Sequence, residues 1–359
     1  IMLFRVAATI IFAFHILFSF AQDEPKKKRI ELRNAEVLEY DESLGTKARR
    51  LIGNVIFEHE GALMYCDSAY LYEDNSMDAF ANVRINKGDS IKMWCDELNY
   101  NGNTEYAKAK RNVRLEDREM TLTSEKLDYN MATEQAWYNT GGTIVDSKNT
   151  LTSIVGYYYS TIEEMFFKDS VKLVNKQYTL TCDTLRYNTN TEVAFFLGPT
   201  EIVSDENTIN CVFGWYDTDL DIAQFSNEAT VFSTDQSIKG DSLYYNKRHG
   251  YGLALGNVIV ADTSQNIILT GERAKYHEVG DMVLLTDSAV MIQDMGADSL
   301  FLHADTFIVS TQYIIKDSLT NHSDTTAIKK DTLRRLLGYN YVKFKSHLSQ
   351  SDIFQKGRI

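Results

Sequence analysis

The stretch Gly53-Asn54-Val55-Ile56-Phe57 returns along the chain, and this return decides the fold. Close copies begin at Asn82, Asn112 and Gly256, and weaker copies lie between and after them. The anchor positions of all the copies are Val55, Val83, Val113, Ile144, Val171, Ile202, Val231, Val258 and Val290. Their spacing of roughly 29 residues lies in the range that is typical of stacked repeat arrays.

A second motif, a small residue followed by an acidic one, runs in step with the first. It occurs in Cys95-Asp96-Glu97-Leu98-Asn99-Tyr100 and again in Ser124-Glu125-Lys126-Leu127-Asp128-Tyr129. Further copies begin at Cys66, Cys182, Gly240, Gly271 and Ala304. Each unit therefore carries two signatures at a fixed offset.

The alternation of apolar residues changes phase at this second motif. Positions 91, 93 and 95 are apolar before it, and positions 98 and 100 are apolar after it. Because side chains alternate between the faces of a strand, such a slip keeps one face inward only where the backbone bends. Gly256-Asn257 marks a similar bend, since Gly and Asn tolerate the conformations needed there. We therefore predict a unit of three or four short strands meeting at corners, with units stacked in register around an apolar interior.

Separate antiparallel β-sandwiches are the alternative, because they also use short alternating strands. Independent sandwiches would not repeat every thirty residues or so, which favours the array. The chain has 359 residues with 21 Tyr and 18 Phe, a composition that favours strands. It has only two prolines, so no Pro-rich linker divides it.

The formal net charge of −13 argues against a nucleic-acid partner, because phosphate recognition needs a basic surface. It also disfavours other polyanionic partners, unless an apolar part of the partner carries the binding.

Composition divides the chain into five segments. Residues 1–21 have one early charge and then an apolar run, which predicts a secretory signal peptide cleaved before Gln22. An uncleaved membrane anchor is the alternative, although the apolar run is short for a span. We expect a basic tail at 22–30, the repeats at 31–310, a polar insertion loop at 311–336 and the start of a further, incomplete repeat at 337–359.

Four segments of the first units carry a resemblance to a known family: 36–40, 51–57, 65–70 and 79–83. They are similar to the OstA/LptA family of lipopolysaccharide-transport proteins, and the resemblance covers about residues 31–309. It implies a β-jellyroll of stacked, V-shaped layers. The predicted fold class is thus all-β: a stacked V-shaped β-jellyroll or β-solenoid array with a period near 29 residues.

The resemblance also implies a function. It implies a periplasmic scaffold that shelters the acyl chains of lipopolysaccharide in its apolar interior. Association of this scaffold with the outer membrane stays open. Other lipopolysaccharide-transport jellyroll proteins would pair with its end strands, and no cofactor or enzymatic activity is implied. The inward residues expected to bind lipid are Ile85, Met93, Leu98, Tyr100, Leu115, Leu122, Leu127, Tyr129, Leu173, Leu180, Leu185, Tyr187, Val260 and Leu269. For each of them, filling the core is an equally good interpretation.

Two other functions fit a repeat array. A structural or adhesive β-solenoid would have a closed, fully packed core. A polysaccharide-active enzyme would need an asymmetric cluster of charged residues on one wall, and the sequence shows a regular ladder instead.

The ladder of carboxylates consists of Asp67, Asp96, Asp183, Asp241 and Asp305. We interpret them as solvated residues that form corners, with calcium binding between neighbouring units as the alternative. No Cys or His spacing indicates a metal site.

The four cysteines, Cys66, Cys95, Cys182 and Cys211, are candidates for disulfide bonds after export to an oxidising compartment. If consecutive units lay one strand spacing apart, the Cα atoms of Cys66 and Cys95 would be within bonding range. Other units have Ser124 or Gly240 at this position, so the simpler interpretation is a need for a small inward residue.

Overall fold

The computed structural model describes residues 29–41, 48–88, 91–118, 120–279, 282–296, 298–310 and 353–356. The predicted signal peptide, residues 22–28 of the basic tail and the predicted insertion loop lie outside the described residues. The predicted final repeat does so too, apart from one strand. No helix in the described part of the chain is long and apolar enough to cross a bilayer.

Strands make up almost all of the described chain. They are β1 (Glu31–Asn34), β2 (Val37–Asp41), β3 (Ala48–His59), β4 (Ala62–Tyr72), β5 (Ser76–Lys87), β6 (Ile91–Asn101), β7 (Tyr106–Glu116), β8 (Thr121–Asn130), β9 (Gln135–Tyr138), β10 (Gly142–Val145), β11 (Thr150–Ser153), β12 (Val155–Tyr159), β13 (Glu164–Val174), β14 (Tyr178–Asn188), β15 (Val193–Ser204), β16 (Thr208–Asp217), β17 (Ile222–Phe232), β18 (Gln236–Asn246), β19 (Tyr251–Asp262), β20 (Ile267–His277), β21 (Met282–Asp294), β22 (Ser299–Ser310) and β23 (Ile353–Lys356). One short 3-10 turn, Ser160–Ile162, interrupts them.

All these strands belong to one antiparallel sheet in which each long strand pairs with the next along the chain. Three layers consist of two short strands lying end to end. These are β1 with β2 along β3, β9 with β10 along β8, and β11 with β12 along β13. Short turns connect consecutive antiparallel strands, which is why the chain forms a meander.

Each long strand bends once near its middle. In β5 the bend lies at Ala81 and Asn82, whose φ angles are 62° and 50°. Two consecutive left-handed residues also lie in the middle of β3, β7, β13, β17, β19 and β21. The bend turns the two arms of a strand towards each other, so each layer is V-shaped. Corners predicted from the sequence, such as Gly256-Asn257, are among these bends.

The two sequence motifs run in step because they meet across each bend. The Asn82 amide donates a hydrogen bond to the Asp67 carboxylate on the neighbouring strand, with 2.7 Å between Nδ2 and Oδ2. Asn112 bonds Asp96 in the same way at 2.8 Å. An acidic residue therefore supports the left-handed Asn of the next strand, as Asp241 does for Asn257 at 2.9 Å.

Gly256 shows why glycine precedes some of these asparagines. Its φ of +71° is a conformation that residues with a Cβ rarely adopt. A Cβ atom there would also collide with the carboxylate of Asp241.

The all-β, V-layered fold class is confirmed, and the arrangement within a unit differs from the prediction. Each unit has two long antiparallel strands, each bent once, instead of three or four short strands meeting at corners. Equivalent positions of consecutive units are consequently two strand spacings apart, about 9.6 Å. The prediction missed this because a bend and a chain reversal both break the alternation of apolar residues.

The weaker copies of the first motif were also aligned imperfectly. The first residue after the bend is Val171 in β13, Thr200 in β15 and Ala289 in β21. Ile202 lies two residues further along the same face. Val290 lies one residue beyond Ala289 and so faces outward.

The interior between the arms divides into two clusters of buried side chains. One cluster includes residues from Ile30 to Tyr138, and the other includes residues from Leu151 to Phe307. Ile144 packs against both. We call residues 30–138 the closed half and residues 142–309 the open half, for the reasons given next.

Candidate functional site

The candidate site is the space between the arms. Arm A comprises residues 55–59 of β3 and 62–66 of β4, with their equivalents in later strands. Arm B comprises residues 48–52 of β3 and 68–72 of β4, with their equivalents. The mouth is the opening between the outer ends of the two arms, where the turns lie.

Three contacts cross the mouth in the closed half. His59 of arm A and Tyr100 of arm B share a buried hydrogen bond of 2.8 Å between Nδ1 and the hydroxyl. The Lys87 ammonium of arm A donates to the carbonyl oxygen of Met131, beyond arm B, at 2.9 Å. The chain also crosses the mouth just before β1, where Ile30 is 7% exposed. These contacts tie the arms together.

The Ile30 crossing is fixed at both sides. Its backbone amide donates to the side-chain oxygen of Asn75, in a turn of arm B, at 2.8 Å. The next residue, Glu31, pairs with Glu58 at the end of arm A. Ile30 therefore covers the mouth over the first layers.

Eight of the residues predicted to bind lipid lie in the closed half. Ile85, Met93, Leu98, Tyr100, Leu122, Leu127 and Tyr129 are 1–6% exposed, and Leu115 packs partly buried against the same cluster. They face inward as predicted and are packed against one another. In the structure they fill the core, which leaves little room for an acyl chain.

The other six predicted residues lie in the open half. Leu180, Leu185 and Leu269 are 1–4% exposed and form part of the buried cluster. Leu173 and Val260 are partly buried against this cluster, and Tyr187 is half-buried. The open half thus has a packed base and a partly exposed apolar upper wall.

The contrast between the halves extends beyond these residues. Among the described residues, five partly buried apolar side chains pack against the first cluster and seventeen against the second. Those in the open half include Ile202, Ile209, Val231 and Ile238 on arm A. In the sequence, Ile202 and Val231 stand out only as repeat anchors, and Ile209 and Ile238 were not predicted to line the interior. Together they line an apolar groove.

A row of tyrosines lines arm B along both halves. Its members Tyr100, Tyr129, Tyr158, Tyr187, Tyr216 and Tyr245 follow at intervals of 29 residues. Tyr100, Tyr129 and Tyr187 were predicted to bind lipid, whereas Tyr158 and Tyr216 were not singled out from the sequence. Their spacing in the sequence was the signal that could have found them.

Small residues separate most rings of this row, and Met165 lies between Tyr158 and Tyr187. Tyr187 pairs across the sheet with Ala194, and Tyr245 pairs with Gly252. Neighbouring rings of the row therefore lie on alternate strands of arm B. Toward the open half the tyrosines change from buried to half-buried.

The phenols of the row stay protonated at neutral pH. Burial raises the pKa of Tyr129 to about 12, and the nearby carboxylate of Glu134 adds to the effect. Burial also raises the pKa of Tyr187 and Tyr245 above the usual value. The hydroxyls of Tyr187 and Tyr245 are therefore neutral groups that can donate a hydrogen bond to a ligand.

The carboxylate ladder lies on the outside of the bends, with Asp67, Asp96 and Asp241 bonded to asparagines as described. In the described part of the chain, no group of three or more His, Cys, Asp or Glu side chains could hold a metal ion. The bonds to asparagine support the corner-forming interpretation of these three residues.

The four cysteines are buried free thiols in the structure. Cys66 lies in β4 and Cys95 in β6, so β5 separates them, and Thr200 lies between Cys182 and Cys211. A separation of two strands, about 9.6 Å, exceeds the Cα distance that a disulfide bridges. The suggested bonding assumed adjacent units, and the intervening antiparallel strand removes that basis.

These features define an all-β protein built as a bent antiparallel sheet with an apolar groove along one half. Residues 27–183 match the family model of OstA-like proteins. Over these residues the chain is similar to OstA-like proteins, which confirms the resemblance predicted from the sequence for this part.

A comparison with curated proteins gave no match. Among solved structures, the chain is similar to LptH from Pseudomonas aeruginosa, described as the LptA homologous periplasmic component of the lipopolysaccharide transport device. The two are 12% identical, with a TM-score of 0.27, and the alignment covers 29% of this chain and 79% of LptH.

Proposed function

We propose that this chain is a non-enzymatic periplasmic scaffold that binds the acyl chains of lipopolysaccharide in the groove of its open half. The observation that carries the proposal is the inner surface of residues 142–309. Apolar side chains face each other there from both arms, and many of them remain partly exposed.

Acyl chains match this surface chemically. Sheltering a chain from water contributes about 0.8 kcal/mol for each buried CH2 group. The groove runs across many strands, so one ligand can contact several layers. The OstA-like match supports lipopolysaccharide as the source of the acyl chains.

The closed half has a different role in this proposal. Its interior is packed, and three contacts cross its mouth. We propose that it is a rigid base for the open half, and that its predicted lipid-binding residues, among them Met93 and Leu127, act as core. For this half alone, the structure favours the closed-solenoid alternative.

End-strand pairing with other jellyroll proteins is part of the proposal. At one end, β2 exposes Leu38 and Tyr40, which are 54% and 55% exposed. At the other end, β23 pairs with residues 299–302 of β22. A photo-crosslinker at Leu38 should give adducts with a partner chain if this edge pairs.

Photo-crosslinking at single positions tests the lipid site. A photoreactive amino acid replaces Val231 in the open groove, Leu127 in the closed core or Phe232 on the outer face. The purified chain is then incubated with lipopolysaccharide and irradiated. We expect lipid adducts at position 231 and background labelling at 127 and 232.

The three positions separate the possible outcomes. Background labelling at every inward position, including 231, would refute lipid binding and favour a closed structural or adhesive solenoid. Equal labelling at 127 and 231 would show that the first half is not sealed. Phe232 is the matched control because it follows Val231 directly and is 45% exposed on the opposite face.

A further inference from the structure

The mouth of the open half is acidic on both sides. The described turns between its strands carry ten acidic and four basic side chains. The acidic residues are Asp146, Glu163, Glu192, Asp205, Glu206, Asp219, Asp221, Asp235, Glu278 and Asp298. The basic residues are Lys148, Lys176, Lys247 and Arg248.

Several of these carboxylates lie close to the groove itself. The hydroxyl of Tyr216 donates a hydrogen bond to the Asp221 carboxylate, with 2.7 Å between the oxygens. Burial raises the pKa of Tyr187, and the carboxylates of Glu192 and Asp146 raise it further. Glu192 belongs to a turn of arm B and Asp146 to a turn of arm A, so negative charge acts on the groove from both rims.

The adjacent basic residues of arm B offset only part of this charge. Lys247 and Arg248 share a turn that packs against the turn holding Asp219 and Asp221. The Lys247 amide donates to the Asp221 carbonyl oxygen at 3.0 Å, and the Arg248 guanidinium donates to the Asp219 carbonyl oxygen. With ten acidic and four basic side chains, the described turns of the mouth keep a net charge of −6.

A ligand whose acyl chains lie in the groove must place its head group at this mouth. Phosphate groups on that head would stand among carboxylates of the same sign, which is unfavourable at low ionic strength. Neutral sugar hydroxyls would instead meet the phenols of Tyr187 and Tyr245, which can donate or accept hydrogen bonds.

We propose that the groove selects acyl-chain glycolipids whose head groups carry little net negative charge over doubly phosphorylated ones. This inference rests on the proposed function and adds the class of head group that the site accepts. The apolar walls would bind either kind of lipid, and the acidic mouth would discriminate between them.

The test compares two lipids with identical acyl chains. One is a diphosphorylated lipid A and the other is its dephosphorylated form, each presented to the full chain in the same neutral detergent. The dephosphorylated lipid should bind at least about tenfold more tightly at low ionic strength, if each phosphate interacts through water with several carboxylates roughly 10 Å away. The difference should shrink in about 1 M salt, where the screening length is about 3 Å.

Matched variants locate the effect. Glu163→Gln, Glu192→Gln and Glu278→Gln together neutralise three carboxylates at the mouth. Glu125→Gln, Glu201→Gln and Glu272→Gln make the same change in net charge on the bends and the outer face. The first triple variant should narrow the preference for the dephosphorylated lipid, and the second should leave it unchanged.

The outcomes distinguish this inference from the proposed function. Equal binding of the two lipids at low salt, or tighter binding of the diphosphorylated one, would overturn the selectivity and leave the lipid groove standing. An equal effect of the two triple variants would overturn the role of the mouth. Failure of both lipids to bind would refute the proposed function and the inference together.

Discussion

Replacing Tyr100 with Phe removes one hydroxyl from the contact that closes the mouth and keeps the ring. Tyr100 is 1% exposed and its partner His59 is 3% exposed, so water cannot readily replace the lost bond. The edge-to-face contact of the two rings, with centroids 5.6 Å apart, can persist. Because a buried polar group that loses its partner costs about 1–3 kcal/mol, the free energy of unfolding should fall by about that amount.

Equilibrium unfolding in urea, followed by circular dichroism, measures this change. Hydrogen exchange of the β3 and β6 peptides should show whether the loss is local to the two strands. Tyr245→Phe is the matched control, since it makes the same change in the half-buried part of the row. It should shift the free energy by about 0.5 kcal/mol or less. Equal losses in the two variants, or no loss at Tyr100, would refute the idea that this bond holds the arms together.

Three further predictions concern the bends and the buried titratable groups. Asn82 has a φ of 50°, so Asn82→Ala should lower the free energy of unfolding, measured in urea, by about 1–2 kcal/mol. Asn82→Gly should lower it less, because glycine adopts this conformation freely. Burial raises the pKa of the Cys95 thiol to about 12. A thiol reagent at pH 8 should therefore label this residue far more slowly in the folded chain than in urea. Equal labelling rates would contradict its burial. Burial raises the pKa of Tyr129 from 10.0 to about 12. The stability that the protonated phenol contributes should therefore be complete below pH 10 and be lost as the pH rises towards 12. Urea unfolding midpoints measured at several pH values between 10 and 12 would show this loss.

The sequence is sufficient to predict the fold class and the bends. The two motifs can be recognised in the sequence because each meets a local requirement. One contains a left-handed residue such as Asn82, and the other contains a carboxylate, such as that of Asp67, that accepts a hydrogen bond from it. Alternation of apolar residues further identifies the inward face, and every residue proposed to bind lipid does face inward. Requirements of this kind involve only one strand and its neighbour, so they can be recognised from the sequence.

The direction of the chain and the openness of the groove are harder to predict. A bend and a turn both interrupt alternation, so the sequence alone did not separate one V-shaped strand from two short ones. Whether Leu127 is sealed and Val231 is accessible depends on what crosses the mouth. The residues that do so, such as Ile30 and Met131, are distant in sequence from the strands that they cover.

One position in the repeat contributes to the difference between the halves. It lies four residues after the first residue beyond the bend, at the outer end of arm A. His59 and Lys87 occupy it in β3 and β5 of the closed half, and their side chains are long enough to reach partners across the mouth. In β7 of the same half the position is Asp117, which accepts a hydrogen bond from the Met120 amide of its own turn. Asn175, Ser204 and Asp262 occupy it in the open half, and their shorter side chains accept hydrogen bonds from the backbone of the turn that follows. A short polar residue at this position caps its own turn and cannot join the arms. The length of the side chain at this position therefore decides whether the strand that carries it can contribute a contact between the arms.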